Sequence, residues 1–311
     1  MGLFSGKQRK PGWLAINFLP DGLCAAHVQR VSNAKPAVSF CTTVEAGSHA
    51  LDRLAKELHV SQYRCSTLLR PSDYQMLVVE SPNVPPEELK IAIRWRIKDM
   101  LDYHVDDATI DVLDIPPDKN APTKSHSLYA IAAPNQVIRQ SQALFEQAKI
   151  PLSVIDIPEI AQRNISTLLE SEQRAVALLS FDASGGLLTV TFSGELYLSR
   201  RIDITSRQLA EADETQKVVY FDRITLEMQR SLDHFDRQYH FITLAKLVLA
   251  PLPGVEGLRD YLAGNLYVPV ESLDLAEVFD FFAVPDLASP ERQAQCFITL
   301  GAALRLEEKA L

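Results

Sequence analysis

The residues best equipped for chemistry in this chain do not stand at the spacings that chemistry needs. Asp233, His234, Asp236 and His240 are close in sequence, and carboxylates with imidazoles can hold zinc. Their i, i+3 and i+6 or i+7 offsets read instead as the solvated face and end of a helix. There is no His-Glu-x-x-His. There is no Gly-x-Ser-x-Gly either, because the residue two before Ser184 is Asp182 rather than glycine. Residues 2–7 fall one short of a phosphate-loop spacing and lie in a chain end, where a loop-to-helix cradle is not expected. The cysteines Cys24, Cys41, Cys65 and Cys296 are far apart in apolar stretches with no Cys-x-x-Cys pair, and read as buried, reduced thiols of a cytosolic protein. Arg94, Trp95, Arg96 and Lys98 set an aromatic ring among cations. That combination suits an acidic or peptide partner, against the alternative that Trp95 packs internally and the cations are merely solvated.

Composition narrows the field further. A net charge of −9 with no basic cluster argues against nucleic acid as the main partner, because phosphate neutralisation needs grouped Lys and Arg. Glycine is scarce: 12 residues in 311. Phosphate-binding loops need glycine so that backbone N–H groups can approach without a Cβ in the way, so this chain has few places to build one. No run of 18 apolar residues is present, so no membrane span is expected. The amino-terminal tail has no signal-peptide core. It combines Leu3 and Phe4 with Lys7, Arg9 and Lys10, which reads as a frayed end or as a weak contact with an anionic membrane.

The elements that must position any site follow a repeated grammar. Strands are expected over 13–18, 23–29 and 37–43 with a Pro20-Asp21-Gly22 turn between the first two, then a helix over 49–58 and a short strand over 66–69. A different block follows. It has a strand over 75–79 and a helix from Pro85 to about residue 101, started by Pro85-Pro86-Glu87-Glu88. Strands over 109–113 and 127–132 flank an exposed loop over 115–125, and a helix over 135–148 precedes a strand over 150–156 and a helix over 158–169. The opening grammar then returns: a strand over 174–181, a turn at 182–186, and a hairpin over 187–202 closed by Ser193-Gly194. A polar stretch over 205–216, a long helix over 218–239, a strand over 244–250, a helix over 255–263, a short strand over 269–273 and a closing helix over 291–306 complete it. Two meanders opening two α/β halves predict a duplicated, two-lobed α/β domain with a cleft between the lobes.

In this order the chain resembles the PilM-type members of the actin-like ATPase superfamily, and in particular the MshI proteins of mannose-sensitive haemagglutinin (MSHA) pilus biogenesis. The resemblance rests on several fragments: Ile93-Arg94-Trp95 in the helix of the middle block, Ala132-Ala133-Pro134 before the next helix, and Asp156-Ile157-Pro158-Glu159. It extends through Glu227–Phe235, Leu252–Leu258 and the Leu300–Arg305 ending. It implies a duplicated actin-like (RNase H-like) ATPase fold, in two lobes with an inserted α+β subdomain as in the cell-division protein FtsA. The expected divisions are a basic tail over 1–11, a first lobe over 12–69, the inserted subdomain over 70–155 and a second lobe over 156–311, whose last helix returns toward the first lobe. It further implies a protein on the cytoplasmic side of the inner membrane. Its partner there is the short amino-terminal cytoplasmic peptide of a PilN- or MshJ-like membrane protein, docked in a groove between the first lobe and the inserted block, with a link to the assembly ATPase.

The chain departs from that family's nucleotide motifs. The Asp-x-Gly of the opening hairpin corresponds to Asn17-Phe18-Leu19, which lacks both the acid that positions Mg²⁺ and the glycine that clears the phosphate path. The second Asp-x-Gly corresponds to Ser180-Phe181-Asp182, or, shifted, to Asp182 in the acid's place followed by Gly185 and Gly186. The glycine pair against adenosine corresponds to Pro251-Leu252-Pro253, where proline offers no amide. These losses imply a degenerate cleft around Asn17, Asp182, Gly185 and Gly186, no metal site, no required cofactor and no ATP hydrolysis. An ATP-binding chain that uses Asp182 is the enzyme alternative, turn chemistry at Asn17 and Asp182 the structural one, and an equivalent scaffold of type II secretion the alternative within the binding class.

Overall fold

The chain opens with three antiparallel strands, β1 (Trp13–Leu19), β2 (Gly22–Gln29) and β3 (Ala37–Glu45), then helix α1 (Ala50–Glu57) and strand β4 (Arg64–Leu68). The middle block holds β5 (Gln75–Glu80), α2 (Pro86–Ile97), β6 (Ala108–Asp114), β7 (Ser127–Pro134) and α3 (Asn135–Gln147), followed by β8 (Leu152–Asp156) and α4 (Pro158–Ser166). The second half has β9 (Ala175–Asp182), β10 (Gly185–Phe192), β11 (Glu195–Ile202), α5 (Ser206–Ala210), α6 (Glu214–Gln238) and β12 (Leu244–Leu249). It ends with α7 (Leu258–Asn265), β13 (Val270–Ser272) and α8 (Pro290–Ala303). The structure is a computed structural model, which describes residues 10–118, 127–171 and 173–306. Most of the expected 1–11 tail and most of the expected 115–125 loop lie outside the described residues.

Two five-stranded sheets share one strand order, β3-β2-β1-β4-β8 in the first and β11-β10-β9-β12-β13 in the second. In each, the first three strands are antiparallel and the last two run parallel to the central one. This is the duplication the repeated meanders predict. The central strand β9 is covered on both faces, which is why Ala175–Phe181 is a nearly unbroken apolar run. The β10–β11 turn places Ser193 and Gly194 at φ of 52° and 81°, the left-handed pair that a tight hairpin requires.

Sheet pairing departs from one expected boundary. β8 lies inside the 70–155 block by sequence, yet it hydrogen-bonds to β4 as the fifth strand of the first sheet. The inserted block's own sheet is β5-β7-β6, covered by α2 through Ile93 and Ile97. The parallel β4–β8 pair needs a crossover, and the whole inserted block serves as that crossover. The expected polar stretch over 205–216 is helical at both ends. Thr205–Gln208 and Asp213–Gln216 each form a reciprocal capping box, so α5 exists and α6 starts four residues early.

The lobes join through two helices. α4 lies under β9, β10 and β11, α8 lies on β1, β2 and β4, and the two pack on each other. Every residue of α4 is buried. Gly301 sits at the closest approach: a Cβ there would stand 2.2 Å from the Ala161 carbonyl oxygen, and Asn164 Nδ2 donates to the Gly301 carbonyl at 3.0 Å. The shared core includes Ala15, Cys24, Ile165, Leu178, Phe297 and Leu300. Among the described residues no helix is long and apolar enough to cross a membrane.

Candidate functional site

β8 is the outer strand of the first sheet and β6 the outer strand of the inserted sheet. The two free edges flank a groove of about 730 Å³ that α3 borders. Its walls are mainly aliphatic, with Leu69, Leu113, Ile131, Ile138, Val154 and Ile160 among them, and Thr109, Asp111, Gln142 and Glu146 are the polar groups on the β6 and α3 sides. Such strand edges carry backbone N–H and C=O groups with no ladder partner. At β6 the Val112 N–H donates to its neighbour's carboxylate, Asp111 Oδ1, at 3.0 Å, and the same oxygen meets Lys90 Nζ at 2.8 Å. In an antiparallel ladder alternate residues face the partner strand and the open side, so this donor looks away from β7 and is occupied by a side chain that a second strand can displace.

The groove's floor is charged and buried. Asp156, at the end of β8, accepts from Arg305 Nη1 at 2.5 Å and from the Ile157 N–H at 2.9 Å. Burial pushes the Asp156 carboxyl up, opposed by Arg305, the Ile157 N–H and Arg163. The Arg305 guanidinium is held over the Trp13 ring at 5.9 Å, and its Nε is buried without a hydrogen-bond partner. The floor therefore offers a fixed cation edge beneath aliphatic walls, an arrangement suited to an extended apolar peptide with a polar group at one end.

The expected nucleotide residues lie elsewhere. Asn17 sits on β1 opposite Cys24 of β2, and Asp182 ends β9; neither lines the groove. The Asp182 carboxylate accepts from the Ser184 N–H two residues on, at 2.6 Å, so it closes its own turn. Burial raises its pKa against that hydrogen bond. Gly185, at φ 130°, lies where a Cβ would come within 2.7 Å of the Ile202 carbonyl oxygen, and a Cβ on Gly186 would strike the Phe181 ring at the same distance. Both glycines are accounted for by strand packing. Beneath this hairpin, buried Gln162 of α4 donates through Nε2 to the Leu178 and Leu187 carbonyls at 2.8 and 3.0 Å and accepts from Ser180 Oγ at 2.5 Å.

The cationic cluster on α2 also lies away from the groove. Arg94 donates to the Val105 and Ala108 carbonyls at 2.6 and 3.1 Å, and Arg96 to the Glu80 carbonyl at 2.7 Å. Both guanidiniums tie α2 to the inserted sheet. Lys98 is exposed, and Trp95 is 64% exposed, which differs from the internal packing weighed for it. Sequence reasoning did not find the Asp156–Arg305 floor or the ion cluster at the opposite face, because both join residues more than 40 positions apart. In that cluster buried Glu159 accepts from Arg201 at 2.7 and 3.1 Å and from the Tyr74 hydroxyl. It stands beside a second cavity of about 630 Å³ between β5 and β11.

No protein-family model matches the chain, and none of the curated proteins matches it. Solved structures do. A chain of the PilM–PilN type IV pilus biogenesis complex superposes with a TM-score of 0.72 at 18% identity, over 94% of this chain and 98% of that one. The cytoplasmic domain of EpsL, an inner membrane component of the type II secretion system of Vibrio cholerae, gives 0.49 at 14% identity over 95% and 96%. A Bacteroides thetaiotaomicron protein of unknown function gives 0.48 at 13% over 93% and 99%. The first of these, with the two sheets of one strand order, establishes the actin-like ATPase fold for this chain.

Proposed function

We propose that this chain is a non-catalytic scaffold of a type IV pilus assembly platform of the MshI kind, which holds the amino-terminal cytoplasmic peptide of a PilN- or MshJ-like inner-membrane protein. The observation that carries this reading is the groove between β6 and β8, where two strand edges open onto aliphatic walls. An extended peptide adds to a strand edge through main-chain hydrogen bonds and seats alternate side chains in pockets. The likeness to a chain solved with PilN supports the choice of partner. In this reading the chain works at the cytoplasmic face of the inner membrane and connects the membrane protein to the assembly ATPase.

The nucleotide cleft has no part in this role. Asn17 and Leu19 replace an acid and a glycine, Asp182 closes its own turn, and prolines stand at 251 and 253. A triphosphate needs anchored Mg²⁺ and open backbone amides, and these positions supply neither.

The experiment is calorimetry of the full chain with synthetic amino-terminal peptides of PilN- and MshJ-like proteins. One site is expected. Ile138→Glu places a charge on the α3 wall, at a half-buried position, and is expected to abolish the heat of binding at a modest cost in thermal stability, because the side chain also packs against the core. Peptides that do not bind, or that bind the variant equally well, would falsify the scaffold reading.

A further inference from the structure

Three of the four cysteines, far apart in sequence, converge in one place. Cys24 on β2 and Cys41 on β3 are diagonal neighbours on one face of the first sheet, since Cys24 pairs with Thr43 and Ala26 with Cys41. α8 lies on that face and brings Cys296 to them. The Cys24 and Cys296 sulfurs are 3.6 Å apart, and all three sulfurs lie within 4.8 Å of one another. All three residues are buried.

Two more groups of α8 face the same cluster. Arg292, Cys296 and Thr299 recur at i, i+4 and i+7, so they share one helix face. Thr299 is fully buried, and its hydroxyl lies beside Cys24. Arg292 reaches Thr43 Oγ1 at 3.2 Å, while its Nε is paired with Asp286 Oδ2 at 3.1 Å.

We propose that Cys24, Cys41 and Cys296 form a buried three-thiolate site for zinc(II), with the Thr299 hydroxyl as fourth ligand. Zinc–sulfur bonds of about 2.3 Å set ligand sulfurs roughly 3.8 Å apart in tetrahedral geometry. The cluster therefore needs only small side-chain adjustments to close on the ion. Charge selects the metal class. Binding displaces three thiol protons to solvent, leaves Thr299 neutral and gives the zinc trithiolate a net charge of −1, the smallest these three thiolates allow with a divalent ion. A monovalent soft ion on the same ligands would leave one further negative charge in an apolar core. The bound ion staples β2 and β3 to α8, the helix through which the lobes meet.

The test uses the full chain, reduced and freed of metal with a chelator, then titrated with zinc(II) or with cobalt(II) as its spectroscopic substitute. One ion per chain is expected, with a sulfur-to-cobalt charge-transfer band and release of three protons per zinc. Cys296→Ser and Cys24→Ser are expected to lose the band. Cys65→Ser, which alters the one cysteine outside the cluster, is expected to keep it. X-ray absorption on the zinc-loaded unaltered chain counts ligands without any substitution, and three sulfurs with one oxygen are expected. A chain that takes up no metal overturns the proposal, as does a shell without sulfur or a Cys65→Ser loss equal to that of Cys296→Ser.

Discussion

Replacing Gly301 by alanine measures how tightly the lobes are joined. The added Cβ would lie 2.2 Å from the Ala161 carbonyl oxygen, 2.8 Å from its carbon and 3.2 Å from Ile165 Cδ1. Ordinary contact begins at 3.4 Å, so α4 and α8 must part by about 1.2 Å (3.4 minus 2.2). The obstacle is backbone in a helix whose every residue is buried, so no flexible side chain can give way. Overpacking of this kind costs about 1–3 kcal/mol. The Asn164–Gly301 hydrogen bond, now 3.0 Å, is lost at that separation, adding about 1 kcal/mol. Alanine's helix propensity returns about 1 kcal/mol. The net expectation is destabilisation by about 1–3 kcal/mol, read as a lower urea midpoint. Gly264 supplies the control. It lies in α7, and a Cβ added there would meet nothing within 4 Å, so Gly264→Ala is expected to be neutral or stabilising. If Gly301→Ala proves as stable as Gly264→Ala, the close α4–α8 approach is wrong.

Three further outcomes follow from the same geometry. Glu159→Gln removes the charge facing Arg201 while keeping the shape, and leaves an arginine that is only 32% exposed without its carboxylate; chemical denaturation is expected to show a loss of about 3 kcal/mol, the low end for a broken buried pair because Arg201 keeps some solvent. Burial, aided by Glu195 at Tyr197 and by Tyr197 at Tyr239, pushes both phenols up to about 12 from an ordinary 10.0. Between those values the unfolded chain has lost these protons and the folded chain keeps them, so stability falls as pH rises from about 10 toward 12 by up to about 1.4 kcal/mol per pH unit per tyrosine; Tyr239→Phe is expected to flatten the slope of midpoint against pH. Mg-ATP at millimolar concentration is expected to leave the thermal midpoint unchanged and to yield no phosphate, whereas a rise in midpoint would show a competent nucleotide site.

Much of the frame was legible because it rests on local patterns. The apolar run of β9, the Ser193-Gly194 turn and the Pro85-Pro86-Glu87-Glu88 helix start each report their structure within a few residues. What stayed hidden depends on pairing between distant segments. Nothing in Leu152–Asp156 says whether that strand adds to the inserted sheet or to β4, and the groove exists because it pairs with β4. The floor joins Asp156 to Arg305, and the thiol cluster joins Cys24 to Cys296, 272 positions away. The α2 cluster divides: Trp95 stands exposed between the arginines, while Arg94 and Arg96 donate to carbonyls of their own subdomain.

The most direct measurement of the scaffold account is hydrogen–deuterium exchange of the full chain with and without a PilN-like amino-terminal peptide. Strand addition between β6 and β8 must slow exchange at the outward amides of residues 108–114 and 152–156 while leaving the hairpin turn at 182–185 unchanged. Protection confined to residues 94–98, or none at either strand edge with the peptide bound, would contradict it.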